Sequence, residues 1–457
     1  MNGAADYAKK AVVVAQKAEV SEFIALMTEG VNYQIRFSNS NIDISKEWRH
    51  SLLEVFLASN RKATEVDIQD PTPEKIERSI TRAAKFARGL PDNELYGGIE
   101  TEKHTYPEIH GLFDKEIEDF PEKAAELVNV AIQSSIDAGA RRAAGVLYFG
   151  NEEKSLLTSN GLEGNYRTSY YRFTIRSFVD YESSGQDIAV GRSLRRIEQR
   201  LAEAGARSGK IAEMACNGRQ GKAGKYDLIM SPTVAANVLG QITGAANPIM
   251  IFFGMSPLGD RIGKQIGPEN LTISDNPTVS EGLASRPFDV EGTPSSETPI
   301  IKDGVLAGLV HNTSTSKMMQ VENTGNSAFV DLGFGSKILA PAPTNMIYEP
   351  GDYSRNEIIA ESKKPTVYIT SNWYTRYTNM LEGEFSTIPR DGIFLIEDGE
   401  IRRPIRKLRL ADNLLGICKR IVAIGNDIEE INWWEVDTPT FIPTIKVAEC
   451  NFTAATK

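Results

Sequence analysis

The chain has 457 residues, which is more than one hydrophobic core normally supports, so two domains are expected. Its hydrophobic fraction of 41% and charged fraction of 25% are typical of a globular protein, and no apolar segment approaches the roughly 20 residues that span a bilayer. The net charge of −10 argues against binding to a nucleic-acid phosphate backbone as the main task.

The cysteines and the first residues favour a reducing compartment. Cys216, Cys418 and Cys450 are widely spaced, include no CxxC pair and are odd in number, which favours free thiols over disulfides. Residues 1–20 contain a short apolar run flanked by lysines but no cleavage site, which is more typical of an amphipathic helix than of a signal peptide. We therefore expect a cytoplasmic protein.

In the N-terminal half, helical patterns alternate with strand patterns. The apolar spacing predicts helices over residues 6–17, 73–88, 121–137 and 192–214. Strand-like runs lie at residues 22–28, 32–37, 51–58, 63–68, 144–149, 156–159 and 168–179. This order predicts an α/β domain with mainly antiparallel pairing over residues 1–220, which ends in a Gly/Lys-rich linker at 217–225.

Beyond the linker the pattern is mostly that of strands. Asp303-Gly304 and Asp398-Gly399 each lie between strand-like runs, and Asp-Gly in that setting is the strongest short signal for a hairpin. We expect a β-rich second domain over residues 221–457. The predicted fold class for the whole chain is α+β.

One helix interrupts this β pattern. Ser231 is a good N-cap, and Pro232 occupies the first helical position. The apolar residues that follow share one helical face and predict a helix over residues 232–246. This face consists of Val234, Ala235, Val238, Leu239 and Ile242.

Four blocks in the C-terminal half carry a family resemblance. They are Arg-Pro-Phe-Asp-Val-Glu-Gly-Thr-Pro at 286–294, Asn-Thr-Gly-Asn-Ser-Ala at 323–328, Leu-Glu-Gly-Glu-Phe-Ser at 381–386 and Val-Ala-Ile-Gly-Asn-Asp at 422–427. Together with the sequence from 226 to 232, they resemble the C-terminal domain of the TldD/PmbA family of metallopeptidase-related proteins. The N-terminal half fits the layout of that family with weaker motifs. The resemblance implies a role in a peptidase system, and members of the family are also linked to modulation of DNA gyrase.

In the TldD branch of that family, the interrupting helix carries His-Glu-x-x-x-His, which provides two zinc ligands and a general base. With Gly244 as the anchor, the three positions are Gly240, Gln241 and Ala245 in this sequence. Glycine and alanine have no donor atom, and glutamine cannot act as a base at neutral pH. Gly240 and Gly244 either permit close approach of a partner or reflect drift to small residues; both interpretations stay open.

The second half of the family's metal site is also missing. In TldD-type chains a cysteine shortly after the Gly-Asn-Asp segment completes the site, but residues 428–437 contain no cysteine and Cys450 falls out of register. The resemblance therefore implies a TldE (PmbA)-like chain without zinc of its own. Because no ligand strain is needed, we expect the helix to be regular or to break near Gly244.

The densest aromatic and polar cluster lies at residues 372–379. Its candidate peptide-binding residues are Trp373, Tyr374, Arg376, Tyr377 and Asn379. Such residues could stack on side chains and bind a carboxylate or a main-chain carbonyl. An ordinary strand that packs half of these residues into the core is equally consistent with the pattern. Trp433 and Trp434 are expected to anchor internal packing or a subunit interface.

These features predict the non-catalytic subunit of a heteromeric TldD–TldE peptidase. A TldD-type partner would supply the His-Glu-x-x-x-His helix, the zinc ion and the activated water, and this chain would shape the groove for peptide or unfolded-protein substrates. Two alternatives stay open: a homodimer that captures peptides without cutting them, and a self-contained hydrolase. Neither a membrane nor a nucleic acid is an expected partner.

Overall fold

The computed structural model describes residues 4–331 and 337–454. These residues form ten α-helices and a short 3-10 helix at Lys115–Glu118. The α-helices are α1 Ala4–Lys17, α2 Pro73–Arg88, α3 Pro121–Asp137, α4 Ile197–Met214, α5 Pro232–Leu239, α6 Gln241–Ala245, α7 Pro248–Phe252, α8 Thr313–Met319, α9 Arg355–Ala360 and α10 Leu414–Lys419. No helix in the described part of the chain is both long and apolar enough to cross a membrane.

The strands form the larger part of the structure. In the N-terminal half they are β1 Glu22–Ser38, β2 Asn41–Ser59, β3 Lys62–Gln69, β4 Arg142–Thr158, β5 Glu163–Phe178 and β6 Ser184–Gly191. They continue with β7 Arg219–Gln220, β8 Gly224–Met230, β9 Ile273–Asp275, β10 Thr298–Lys302, β11 Val305–Leu306, β12 Ser327–Asp331, β13 Lys337–Pro341 and β14 Met346–Tyr348. The last are β15 Thr366–Asn379, β16 Glu384–Glu397, β17 Glu400–Arg406, β18 Leu408–Asn413, β19 Ile421–Ile424, β20 Glu429–Trp433, β21 Val436–Ile442 and β22 Ile445–Ala454.

The chain is an α+β protein, as predicted, and its first sheet is antiparallel throughout. That sheet has the order β3-β2-β1-β4-β5-β6. A second sheet has the order β11-β10-β9-β14-β21-β20, a third is built around β15, β8, β22, β18 and β16, and β12 and β13 form a separate hairpin. The boundary between residues 220 and 221 stays a prediction, although the first sheet is built wholly from residues before it.

The two faces of the first sheet have different partners. Alternate residues of β1 (Phe23, Ala25 and Met27, then Ile35 and Phe37) pack under the helices α1 to α4. The residues between them, Ile24 and Leu26, pack on the opposite face against Phe288 and Val290 of the C-terminal half. Because successive side chains of a strand point to opposite faces, a single strand joins both cores.

Two predicted strand breaks are wrong. The sequence suggested separate strands on either side of Gly30, but β1 runs through that residue, and β4 likewise runs through Gly150. A Cβ atom at either glycine would lie 2.3 Å from a carbonyl oxygen of the neighbouring strand, that of Asn151 or Val31. These glycines allow close backbone approach inside the sheet and do not end the strands.

The strand β6 was missed by the sequence analysis. All eight of its residues are buried, but they include Gln186 and Asp187, so no alternating apolar pattern marks it. Helix α4 correspondingly begins at Ile197, and the predicted start at Arg192 is wrong because Arg192 lies buried between β6 and the helix.

The predicted helix cap at Thr72 and the two predicted Asp-Gly hairpins are confirmed. Thr72 caps α2 as predicted, and its side chain accepts a hydrogen bond from the backbone N–H of Lys75. Both predicted hairpins are present, and Asp303 and Gly304 adopt φ angles of 50° and 75°, which is the geometry that a two-residue Asp-Gly turn requires. The equivalent turn at Asp398-Gly399 joins β16 to β17.

Candidate functional site

The predicted helix at residues 232–246 is divided in two at Gly240, four residues before the expected break. Helix α5 is buried along its whole length and packs against β15, β20 and β21. The backbone N–H of Thr243 bonds to the carbonyl of Gly240 at 3.0 Å, three residues back, which tightens the chain into a turn before α6 continues. A single helix over residues 232–246 is therefore wrong.

The three positions that correspond to the metal-binding motif do not fit a zinc ion. Gly240 and Ala245 offer no ligand atom, and the side-chain amide of Gln241 donates to the carbonyl of Asn237 at 3.3 Å. Within residues 4–331 and 337–454, the one place where three or more carboxylate, thiol or imidazole ligands converge is elsewhere, at Glu54, Glu65 and Asp67 on the first sheet. The ammonium group of Lys337 lies among those carboxylates, 2.5 Å from Glu54 and 2.9 Å from Asp67.

Helix α5 is joined to β15 through a buried carboxylate. The side chain of Glu435 is only 2% exposed, and it accepts hydrogen bonds from the backbone N–H of Thr375 at 3.2 Å and from Arg376 at 3.3 Å. The amide of Asn237 donates to the same carboxylate at 3.5 Å. Arg376, a predicted peptide-binding residue, is therefore already paired with a carboxylate.

A second link lies one turn further along. The hydroxyl of Tyr377 donates to the backbone carbonyl of Gln241 at 3.3 Å, so the predicted aromatic cluster contacts the degenerate helix directly. Asn379 is more distant: its side chain accepts from the backbone N–H of Glu382 in the turn between β15 and β16. The structure thus places Tyr377 against the helix and Asn379 in a hairpin turn.

Next to these links, β15 contains a bulge. The pairing of β15 with β16 shifts register between Trp373 and Arg376, and Tyr374 within the bulge has φ +57°. A bulky residue rarely adopts this left-handed conformation, which is strained and concentrates at functional sites. The bulge leaves the Tyr374 side chain 48% exposed, beside Trp434 at a ring distance of 5.7 Å.

The bulge borders a cavity of about 370 Å³ between the first sheet and the C-terminal half. We call this cavity the tryptophan groove. Its lining includes Tyr148, Arg176, Gln186, Trp373, Trp433 and Trp434. Most of its lining comes from β1, β4 and β5 of the first sheet, and β6, β15 and β20 contribute one residue each.

Two buried N–H donors in this groove have no partner. The side-chain oxygen of Gln186 accepts from the indole N–H of Trp373 at 3.1 Å, and this bond orients the amide. Its nitrogen forms no hydrogen bond with any described residue, although Gln186 is 4% exposed. The indole nitrogen of Trp433, a residue 7% exposed, is likewise unpaired within the described chain. A buried donor without a partner costs free energy, and because both nitrogens are buried, a ligand's acceptor pairs with them only if neighbouring side chains move.

The aromatic rings of the groove differ in availability. The guanidinium groups of Arg176 and Arg390 lie 4.9 and 4.6 Å from the ring centroid of Trp373, so this ring already takes part in two cation–π contacts. Trp434 meets Trp373 edge-on at 5.5 Å and is 52% exposed. Trp434 and Tyr374 therefore offer more open aromatic surface than Trp373 does.

Of the predicted peptide-binding residues, the structure places Trp373 in the groove and Tyr374 at its rim. Sequence reasoning missed Gln186, Arg176 and Tyr148, which come from the N-terminal half. Trp433 and Trp434, expected only as packing or interface anchors, line the groove as well. The assignment of the five residues to peptide binding stays a prediction.

Two of the four family motif blocks, 286–294 and 323–328, meet in a different place. The carboxylate of Asp289 accepts from the backbone N–H groups of Glu291, Thr293 and Ser327 at 2.8–3.0 Å. We call the buried polar group around it the motif cluster. It comprises Asp275, Asp289, Glu291, Asn312, Asn326 and Ser327, all 1% exposed or less.

Burial raises the pKa values of the acids in the motif cluster. Glu291 accepts from the hydroxyl of Ser327 at 2.8 Å and from the amide of Asn312 at 3.3 Å. Burial and then the neighbouring Asp289 carboxylate raise the pKa of Glu291 to about 8. None of the six residues of the motif cluster lines the tryptophan groove. Their hydrogen bonds hold two motif loops together.

Comparison with known proteins agrees with this architecture. Residues 223–454, just over half of the chain, match the family model of the PmbA/TldA metallopeptidase C-terminal domain, and residues 111–216 match that of the central domain. The chain is 25% identical to metalloprotease PmbA of Escherichia coli O157:H7 over 431 residues, covering 90% of this chain and 89% of that protein. It is 28% identical to a metalloprotease of Methanothermobacter thermautotrophicus over 228 residues, 50% of this chain and only 48% of that protein.

Solved structures share the whole fold. TldE from Thermococcus kodakarensis superimposes with a TM-score of 0.84 at 19% identity, covering 98% of this chain and all of that one. A Thermotoga maritima protein described as a candidate modulator of a DNA gyrase gives a TM-score of 0.83 at 22% identity, covering 98% and 99% of the two chains. With the motif residues and both family models in agreement, this chain belongs to the PmbA/TldD family.

Proposed function

We propose that this chain is a TldE (PmbA)-type subunit that acts in the cytoplasm, binds peptide in the tryptophan groove, and leaves hydrolysis to the zinc site of a TldD-type partner. The observation that carries the proposal is the pair of buried, unpaired N–H donors, Gln186 Nε2 and Trp433 Nε1, beside exposed aromatic rings. The names of the relatives support the peptidase context, since one is a metalloprotease PmbA and another a TldE.

The chemistry of the groove suits an extended peptide. A peptide main chain presents a row of carbonyl acceptors, each of which can satisfy one of the unpaired donors. Trp434 and Tyr374 offer aromatic surface to peptide side chains, and β1, β4 and β5 supply most of the remaining lining of the groove. Hydrogen bonds from both donors to peptide carbonyls would remove the desolvation penalty of leaving these donors unpaired.

The absence of a base and of ligands at Gly240, Gln241 and Ala245 supports the division of labour. The Gln241 amide of α6 donates to the Asn237 carbonyl of α5, and Tyr377 and Glu435 join α5 and α6 to β15. Tyr377 and Glu435 therefore fix the positions of α5 and α6 against β15, which contributes Trp373 to the groove. The catalytic water, the base and the zinc would come from the partner.

Peptide binding is tested by fluorescence anisotropy with a labelled, unstructured peptide. Trp434→Ala should weaken binding at least about tenfold, as expected for an exposed tryptophan anchor. Phe86→Ala is the matched control, because Phe86 is 61% exposed on α2, away from the groove. Equal affinities for wild type and Trp434→Ala would reject the groove as the binding site.

The division of labour is tested by peptide cleavage. The purified chain should be inactive, and a mixture with a homologue that carries His-Glu-x-x-x-His should cleave peptides until a metal chelator is added. Chelator-insensitive cleavage by this chain alone would contradict the proposal. Peptide binding without cleavage in any mixture would favour the alternative of a homodimer that only captures peptides.

A further inference from the structure

The charged residues that line the tryptophan groove are all basic. Acidic residues outnumber basic ones in the whole sequence, 61 to 51, and the net charge is −10. Among the described residues that line the groove, however, none is an aspartate or a glutamate, and two are arginines, Arg36 on β1 and Arg176 on β5. The groove therefore departs from the acidic character of the chain, and its charge bears on which peptides it accepts.

The strand pairing of the first sheet places both arginines on one face. Arg36 lies opposite Val146 of β4. Val146 in turn lies opposite Thr174 of β5, two residues before Arg176. Opposite residues of antiparallel strands project to the same face, and so do residues two apart in one strand. Arg36 and Arg176 therefore project from the same face, and the two strand spacings between β1 and β5 separate their backbones by about 10 Å across the sheet.

The charge of Arg176 is already compensated inside the protein. Its Nε donates to the carboxylate of Asp391 at 2.7 Å, and the Asp391 side chain is not exposed at all. The guanidinium also lies 4.9 Å from the ring centroid of Trp373. Arg176 is therefore held in a fixed position and adds little net charge to the groove.

The charge of Arg36 is not compensated in this way. The side chain is exposed, and it forms no ion pair with any carboxylate of residues 4–331 or 337–454. Its diagonal neighbour on β4 is Tyr148, whose hydroxyl accepts from the amide of Gln34 at 2.6 Å and has its own proton to donate. An unpaired guanidinium beside a hydroxyl donor is suited to a carboxylate, which can accept two parallel hydrogen bonds from the guanidinium.

A second uncompensated arginine lies beside the groove. Arg390 on β16 is exposed, and its guanidinium lies 4.6 Å from the ring centroid of Trp373. None of the carboxylates in the described part of the chain forms an ion pair with it. Arg390 and Arg36 would therefore both attract a carboxylate of a bound peptide and repel a lysine or arginine side chain.

We propose that the tryptophan groove selects peptides that carry carboxylate groups, and that Arg36 determines this selectivity. The inference rests on the proposed function, because it concerns peptides bound in this groove. Arg36 and the Tyr148 hydroxyl donate to one peptide carboxylate, and Arg390 contributes long-range attraction. The carboxylate belongs either to an acidic side chain or to the C-terminus of the peptide. A nucleic acid fits less well, since most of its phosphates would face a protein of net charge −10.

Fluorescence anisotropy with four labelled peptides of equal length tests the selectivity on the full chain. The peptides share one unstructured sequence and differ at two positions, which hold glutamate, glutamine or lysine, each with an amidated C-terminus. The fourth peptide is the glutamine peptide with a free C-terminal carboxylate. The glutamate peptide, the free-carboxylate peptide or both should bind at least about threefold more tightly than the glutamine amide, and the lysine peptide should bind more weakly than that amide. Added salt should reduce these differences, because it screens exposed charges.

Substitutions of Arg36 test its role in the selectivity. Arg36→Gln should weaken binding of the preferred carboxylate peptide about three- to tenfold and leave the affinity for the glutamine amide unchanged. Arg36→Glu should reverse the preference, so that the lysine peptide binds more tightly than the glutamate peptide. Arg82→Gln is the matched control, because Arg82 is exposed on α2, which covers the other face of the first sheet. This control should keep the preference of wild type.

Equal affinities of wild type for all four peptides would overturn the selectivity but not the proposed function, because peptides would still bind. An undiminished preference in Arg36→Gln would overturn the role of this arginine, and thermal melting checks that each variant is folded. If a variant does not fold, the peptide series on wild type still decides the selectivity. Binding of none of the peptides would overturn the proposed function as well. Tighter binding of a single-stranded oligothymidylate than of the glutamate peptide would assign the basic residues to a nucleic acid and reject the proposal.

Discussion

The motif cluster and the tryptophan groove differ in burial and in hydrogen bonding. The motif cluster contains residues of two of the four family motif blocks, and its six side chains are buried and bonded to one another or to the backbone. The groove is open, keeps two N–H donors unpaired, and includes residues from the N-terminal half that no motif marks. In this chain the residues of two family motif blocks hold the fold, and the proposed binding site lies elsewhere.

The strongest test of this contrast is Asp289→Ala. The substitution leaves three buried backbone N–H groups, those of Glu291, Thr293 and Ser327, without an acceptor. At about 1–3 kcal/mol for each unsatisfied group, partly relieved by water, we expect the free energy of unfolding to fall by about 3–5 kcal/mol. Urea denaturation measures the loss.

Two matched variants accompany that measurement. Asp289→Asn keeps one side-chain oxygen as an acceptor and should lose less stability than Asp289→Ala. Asp92→Ala removes an exposed aspartate and should change the free energy of unfolding by less than about 0.5 kcal/mol. If Asp289→Ala were as mild as Asp92→Ala, the motif cluster would not be a structural centre.

The next effect is a change in pH dependence. The folded-state pKa of Glu291 is raised to about 8 from an ordinary 4.5, so the folded chain keeps a proton that the unfolded chain releases between those values. This proton's contribution to stability is complete below pH 4.5 and is lost as the pH rises through 8. Glu291→Gln removes this titratable group. Between pH 5 and pH 8, the free energy of unfolding of the variant should therefore fall less than that of wild type, and the difference should be about 1 kcal/mol or more. Urea denaturation at each pH measures this difference. If the free energies of unfolding of the two proteins changed equally with pH, the raised pKa of Glu291 would be contradicted.

The same contrast explains what the sequence could predict. Helices α2 and α3 were located correctly because their starts depend on neighbouring residues, such as the Thr72 cap and Pro121 at the first turn. Strand β6 was missed because its burial comes from surrounding elements and not from its own pattern. The groove was found only in part, since Trp373 belongs to a visible aromatic cluster but its partner Gln186 lies 187 residues away in the chain.

In the groove, substitutions should affect binding more than stability. Trp434→Ala removes three edge-on ring contacts, with Trp373, Tyr374 and Trp433, from a side chain that is half exposed. We expect a loss of about 1 kcal/mol in the free energy of unfolding, well below that of Asp289→Ala, together with the weakened peptide binding described above. If urea denaturation showed a loss of unfolding free energy as large as that of Asp289→Ala, the Trp434 ring would be part of the core. The groove and the motif cluster would then not differ in their effect on stability.

The smallest effect on stability should come from Tyr374→Gly. Glycine relieves the left-handed strain at φ +57°, which is worth roughly 1 kcal/mol, but it also removes the contact with Trp434, worth about 0.5–1.5 kcal/mol. Because these terms oppose each other, the free energy of unfolding in urea should change by less than about 1 kcal/mol. Peptide affinity should nevertheless fall, since an exposed ring at the rim of the groove is lost. Tyr374→Asn is the matched variant, because asparagine tolerates the left-handed conformation but has no aromatic ring. If wild type and both variants bind peptide with equal affinity, the strain at Tyr374 has a cause other than peptide binding.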